Sequence, residues 1–433
     1  MSVEAGFWGV AGLLVLLALR VPVALALIVV SFGGIAWLLG FGPALGVVAN
    51  TPYSFVASWT MSAVPMFLLM GFVAYHAKLT AGLFDAAKLA LRRLPGALAI
   101  ASVFACSGFA AVCGSSLATA ASMGRIAIPE MIRAGYAPSL AAGSIAAGGT
   151  IGALIPPSIL MIIYGVFAET SITQVFLGGI GMGLMTALSY AVIVLLIAWR
   201  RPDIVPRRPI ETPGLTAGDA LRGVWPVLLL IGVVFGGLFS GLFTTTEAGA
   251  VGAIGAIACA ALVGNLSLDV MKRALLETLM TSASLLIIGI GAMMFTRFLG
   301  ITGLSGFLSA QVGDAELSYW QLMLIIVVIY VALGTVMEPF GALLVTLPVL
   351  VPILEAEQIS LIWFGVVVVK LLEIGMITPP VGLNVFVIRN VAQRHVSVVQ
   401  IFKGVTPFLA ADVVVVMLAI AFPSLVLLLP GLF

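Results

Sequence analysis

The sequence predicts an all-α polytopic membrane protein made of two inverted halves, each with five spans and one re-entrant hairpin. Three observations predict it. Of 433 residues, 62% are hydrophobic and 8% charged, and the mean hydropathy is +1.27, more apolar surface than a soluble core can enclose. The only two Pro-Pro pairs lie 223 residues apart in matching settings, Ile151-Gly-Ala-Leu-Ile-Pro156-Pro157 and Ile374-Gly-Met-Ile-Thr-Pro379-Pro380. The Lys and Arg residues collect in alternate polar segments, as they do beside the cytoplasmic ends of membrane spans.

Each element follows from apolar length and its interruptions. In the first half, helices are predicted at about 5–20, 22–40 and 62–77, followed by an amphipathic stretch at 80–94. A hairpin at 96–133, a broken helix at 138–168 and a helix at 174–199 complete residues 1–199. A linker at 200–224 joins this half to the second, 225–433, with a hairpin at 319–354 and a broken helix at 360–388. The shift of 223 also aligns Pro129 with Pro352 and Phe84 with Phe307, and it sets the boundary near Arg20 against Thr244-Thr245-Thr246. The hairpin turns, Gly114-Ser115-Ser116 and Met337-Glu338-Pro339, are too short for a polar loop outside the membrane. Re-entrant pairs therefore compete with ordinary short-looped spans, and the re-entrant reading is preferred.

An odd number of crossings per half inverts the second half relative to the first. With the linker cytoplasmic, its Arg200, Arg201, Arg207, Arg208 and Arg222 lie inside, together with Arg20, Lys78, Lys88, Arg92, Arg93, Arg133, Lys272, Arg273, Arg389, Arg394 and Lys403. That is 16 of the 19 basic residues, and it places both termini outside. Arg125, Arg297 and Lys370 are the exceptions. The start of the chain lacks a charged leader and a small-residue cleavage site, so an uncleaved first helix is expected. Cys106, Cys113 and Cys259 lie in apolar sequence without C-x-x-C spacing, so no structural disulfide is expected.

Each proline pair breaks a helix because proline lacks the amide and crowds the preceding turn. A break inside the membrane exposes carbonyls on one side, which suit sodium, and amides on the other, which suit a carboxylate. Thr150, Gly152, Pro156 and Pro157 form the first such site, and Gly375, Thr378, Pro379, Pro380 and Asn384 the second. A plain kink packed by neighbouring helices is the competing account. The hairpin tips add hydroxyls from Ser115, Ser116 and Thr119, Glu338, and the carbonyls of Gly334 and Met337. The small polar residues could equally be helix-packing contacts, whereas a carboxylate at mid-depth is costly without a partner or a cavity. Lys370 and Glu373 are spaced to pair on one helix face, with a role in substrate charge recognition as the alternative. Asp412 has no local partner, and Arg125, near the cytoplasmic mouth, reads as a snorkelling residue, with attraction of an anion as the alternative. The amphipathic segments 79–94 and 266–278 are read as lying along the interface, either bracing the hairpins or simply connecting spans.

Gly114-Ser-Ser-Leu-Ala-Thr119, Gly124-Arg-Ile-Ala-Ile-Pro129-Glu-Met, Gly135-Tyr-Ala-Pro138 and the paired I-G-x-x-x-P-P motifs together resemble the large membrane subunit of tripartite ATP-independent periplasmic (TRAP) transporters. The resemblance spans essentially the whole chain. It implies an elevator-type member of the ion-transporter superfamily in the bacterial inner membrane, importing an organic acid with sodium as the coupling ion and no organic cofactor. It implies two protein partners, a small four-helix membrane subunit and a periplasmic substrate-binding protein, and no nucleic acid. It also implies sodium near Cys113, Ser116, Gly334 and Met337 and near Gly375 and Thr378, largely through backbone oxygens. Where the family often has serine, this chain has Cys113, which a backbone ligand tolerates and a hydroxyl ligand does not. The rival readings are a single-component sodium-coupled carboxylate transporter and a polytopic membrane enzyme. Against the enzyme, the sequence has no H-E-x-x-H and only two histidines, His76 and His395, both near predicted inner helix ends.

Overall fold

The apolar runs fold as helices because in lipid only a helix satisfies every backbone amide within its own segment. The computed structural model describes residues 2–206, 216–392 and 396–432. Arg207, Arg208, Arg394 and His395, assigned above to the inner side, and part of the 200–224 linker lie outside the described residues. The first ten helices are α1 (Val3–Ala18), α2 (Val23–Leu39), α3 (Phe41–Val56), α4 (Ala63–His76), α5 (Gly82–Leu91), α6 (Ala97–Cys113), α7 (Ser116–Arg133), α8 (Pro138–Thr150), α9 (Ile159–Phe167) and α10 (Ile172–Arg200). The next ten are α11 (Ala217–Phe239), α12 (Thr245–Leu262), α13 (Leu268–Thr302), α14 (Leu304–Asp314), α15 (Tyr319–Val336), α16 (Pro339–Ala356), α17 (Leu361–Gly375), α18 (Leu383–Ala392), α19 (Val398–Ala421) and α20 (Pro423–Leu427). Among the described residues, eight helices are long and apolar enough to cross a membrane. The chain is an all-helical, multi-span membrane protein.

The 223-residue shift recurs in the helix boundaries. Helix α7 begins at Ser116 and α16 at Pro339, both for 18 residues. Helix α2 likewise answers α12, α5 answers α14, and α6 answers α15, each within a residue or two. Thr244 and Ser318 start their helices with capping boxes, so polar residues at the boundaries satisfy the first free amides.

Two expectations are corrected. Residues 41–56, assigned no element from sequence, form α3; Gly42, Pro43, Gly46 and Pro52 dilute its hydropathy without preventing a helix. The segment 266–278 is not a separate interfacial helix. Nothing between Thr278 and Leu279 breaks it, so it continues as the 35-residue α13. The 223-residue shift matches the amphipathic α5 with α14. Lys88 of α5 pairs with Glu130 at 2.8 Å and Asp85 at 3.2 Å, joining α5 to α7.

Helices α6 and α7 form one hairpin and α15 and α16 the other. Helix α7 packs on α8 and on α18, and α15 packs on α17, so each hairpin leans on a broken helix. The pairs α8–α9 and α17–α18 are those broken helices, and both carry a cis peptide between their two prolines.

Candidate functional site

The first hairpin turns at Gly114, whose φ of +63° is available to glycine without strain. Ser115 then caps α7, its side chain accepting from the Ala118 amide. This tip presses on the first break. A Cβ at Gly114 would stand 2.0 Å from the Pro157 carbonyl oxygen, and one at Gly152 would stand 2.8 Å from the Ser115 carbonyl oxygen. The second junction is built the same way, since a Cβ at Gly375 would lie 2.4 Å from the carbonyl carbon of Gly334. Bare backbone meets bare backbone at both places, which concentrates carbonyl dipoles there.

A cavity of about 310 Å³ lies between the tips. Ser115 and Ser116 reach it from the first hairpin, Glu338 from the second, and Glu373 and Met376 from the second broken helix. Thr281 and Ser284 of α13 add two more hydroxyls. The lining holds two carboxylates and no Lys, Arg or His side chain.

The buried charges are wired differently from the sequence expectation. Lys370 does not pair with Glu373 but with Asp412, at 2.5 Å, both fully buried. Tyr190 donates to the two Asp412 carboxylate oxygens at 2.8 and 2.9 Å, and its hydroxyl lies 3.4 Å from that of Thr150. Asp412 therefore has partners from α10 and α17, neither of them local. Glu373 instead accepts a 2.6 Å hydrogen bond from the Ser116 hydroxyl at Oε1, while its buried Oε2 has no partner. Of the two buried carboxylates, only Asp412 receives the Lys370 ammonium, and helix packing settles that choice.

The other residues singled out from sequence fall into four groups. Cys113 lines the cavity, and Gly152, Pro156 and Pro157 are buried behind the first tip. Thr119 and Thr150 spend their hydroxyls on the Ser115 and Ala147 carbonyls, and buried Asn384 reaches the Ala146 carbonyl at 3.5 Å, leaving its Oδ1 unpartnered. Thr378 and Pro379 border a separate apolar groove between α15, α17 and α19, and Pro379 and Pro380 are exposed because the second break turns outward. Gly334 and Gly375 touch each other beside the half-buried Met337. The sequence reading passed over Thr281 and Ser284. The run Thr281-Ser-Ala-Ser284 inside an apolar span was the available signal.

The family profile described as "Tripartite ATP-independent periplasmic transporter, DctM component" matches residues 10–425. The chain belongs to this family. It is a TRAP large permease subunit, a component of a transporter. One relative, the C4-dicarboxylate TRAP transporter large permease protein DctM of Pseudomonas aeruginosa, is 34% identical over 86% of each chain. The sialic acid TRAP large permease SiaM of Vibrio cholerae is 31% identical over 98% of this chain and 97% of its own length. The isethionate TRAP permease DctMQ of Oleidesulfovibrio alaskensis is 30% identical over 96% of this chain, which spans 65% of that longer relative. Among solved structures, the YdaH transporter of Alcanivorax borkumensis shares the fold, with a TM-score of 0.63 at 17% identity, covering 88% of this chain and 89% of YdaH. MtrF of Neisseria gonorrhoeae gives 0.61 at 14% identity over 88% and 84%.

Proposed function

We propose that this TRAP large permease imports an organic acid across the bacterial inner membrane with sodium as the coupling ion. One observation carries the reading: both hairpin tips and a broken-helix end from the second half converge on a single small cavity. Two carboxylates and no basic side chain line it, so an organic anion there needs positive charge from elsewhere. Backbone oxygens at the tight Gly114–Pro157 and Gly334–Gly375 approaches suit a sodium ion, which supplies that charge when bound. Sodium is proposed near Cys113, Ser116, Gly334 and Met337 and, separately, near Gly375 and Thr378 at the second break.

The 223-residue recurrence of helix boundaries and the distribution of basic residues support an inverted repeat with both termini outside. In this reading the hairpins and broken helices move together as an elevator against a frame that includes α4 and α13. Ser115, Ser116, Glu338 and the amides after the breaks contact the solute. A small membrane subunit docks on the frame and a periplasmic binding protein delivers the acid. The relatives' named solutes are C4-dicarboxylates, sialic acid and isethionate, and the cavity volume suits acids at the smaller end of that range.

Uptake into proteoliposomes by the complex with both partner subunits is the direct test. Uptake should require a sodium gradient and collapse when choline replaces sodium. Equal uptake in choline removes the coupling, and full uptake by this chain alone removes the need for partners.

A further inference from the structure

Three cavities lie in series through the molecule and share lining residues. The central cavity and a second, nearly closed space have Leu285 in common. That second space shares Phe55 and Phe167 with a third cavity of about 340 Å³, whose polar lining includes Ser54, Ser58, Glu169 and Thr296. The third cavity is a vestibule, bordered by Ser58, Glu169, Thr296 and Pro352 at or near helix ends on one face, and Glu169 is exposed. The middle space measures about 10 Å³ and is lined entirely by apolar residues and Gly289. A site that small holds at most one water, and this one offers none a polar partner.

From this series we propose that Phe55 and Phe167 form the gate between the vestibule and the transport cavity. Their rings lie 5.7 Å apart, tilted at 57°. The Phe55 ring is seated on Gly289, where a Cβ would come within 2.5 Å of it, so α13 holds one leaf in place. Phe167 ends α9, the second half of the first broken helix. One leaf therefore belongs to the proposed frame and the other to the proposed moving element, and displacement of α9 relative to α3 separates the rings. Their contact closes the path by excluding water, and an organic acid cannot shed its hydration to pass an apolar constriction. The gate sets which face of the membrane the central cavity communicates with.

The inference rests on the transport reading above for the direction of traffic, but its test does not need transport. In the intact complex, with Cys106 and Cys259 replaced by alanine and Cys113 by serine, the residue the family often carries there, Ser284→Cys reports the central cavity and Glu169→Cys the vestibule. A membrane-impermeant thiol reagent is applied to spheroplasts and, separately, to inverted vesicles. Glu169→Cys labels from one face, which identifies the vestibule side. From that face Ser284→Cys labels slowly, and adding Phe55→Ala with Phe167→Ala speeds it by about tenfold, the change expected from losing an aromatic contact at a barrier. An unchanged Ser284→Cys rate overturns the gate. As a second measurement, a short bifunctional thiol reagent joining Phe55→Cys to Phe167→Cys should leave Ser284→Cys unreactive from the vestibule face and stop uptake. Full uptake by the cross-linked complex also overturns the proposal.

Discussion

The Ser116 hydroxyl donates a 2.6 Å hydrogen bond to Oε1 of Glu373, joining residues 257 apart in sequence. It ties the tip of the first hairpin to the second broken helix, so elements from both halves close one wall of the cavity. Glu373 is buried without an ion-pair partner, and this bond is the one donor shown for its carboxylate.

Ser116→Ala should therefore cost about 1–3 kcal/mol of stability, the range for leaving a buried acceptor unsatisfied. Uptake should fall further than folded yield. Thermal unfolding of the purified complex and initial uptake rates, measured on one preparation, separate the two effects. Normal uptake with lowered stability would leave Ser116 a purely structural residue.

Glu338→Ala probes the same cavity without the structural penalty. Glu338 is exposed at the tip and caps no backbone group, so its removal should leave the melting temperature nearly unchanged. Uptake should drop by about tenfold, equivalent to one lost charge-assisted contact. Wild-type kinetics in this variant would take Glu338 out of the site.

Lys370 and Asp412 give a double-mutant cycle. Lys370→Met leaves Asp412 buried with only Tyr190 as donor, and should destabilise by about 3–5 kcal/mol. Lys370→Met combined with Asp412→Leu should recover most of that loss, because the pair is removed with its charge cost. Denaturation of the three variants measures it. Additive losses would show that the two side chains act independently.

Glycine substitutions test the tight junctions. Gly375→Ala places a methyl 2.4 Å from the Gly334 carbonyl carbon, where backbone must move, and should abolish uptake. Gly300→Ala meets nothing within 4 Å and should leave folding and uptake intact. Comparable behaviour of the two would contradict the close approach at the second junction.

Much of the fold was legible because its signals are local. Apolar length gave the spans, Pro156-Pro157 and Pro379-Pro380 gave the breaks, and Gly114 gave a turn that glycine adopts freely. Helix α3 escaped because hydropathy averages over its prolines and glycines. Helix α13 was cut short because an amphipathic start was read as a separate element. The hydroxyls of Thr281 and Ser284 were visible in the sequence, but nothing local tells which face of a long helix looks into a cavity.

Local chemistry is enough to make this chain a multi-span helical membrane protein with broken helices at matching positions, since backbone satisfaction in lipid and the chemistry of proline act within a few residues. Which carboxylate Lys370 neutralises is a matter of long-range packing. Spacing favoured Glu373, three residues away on the same helix. Packing delivered Asp412 and Tyr190 instead, because a buried ammonium takes the partner whose helix is held against it with the remaining lone pairs satisfied, and that depends on α10, α17 and α19 meeting.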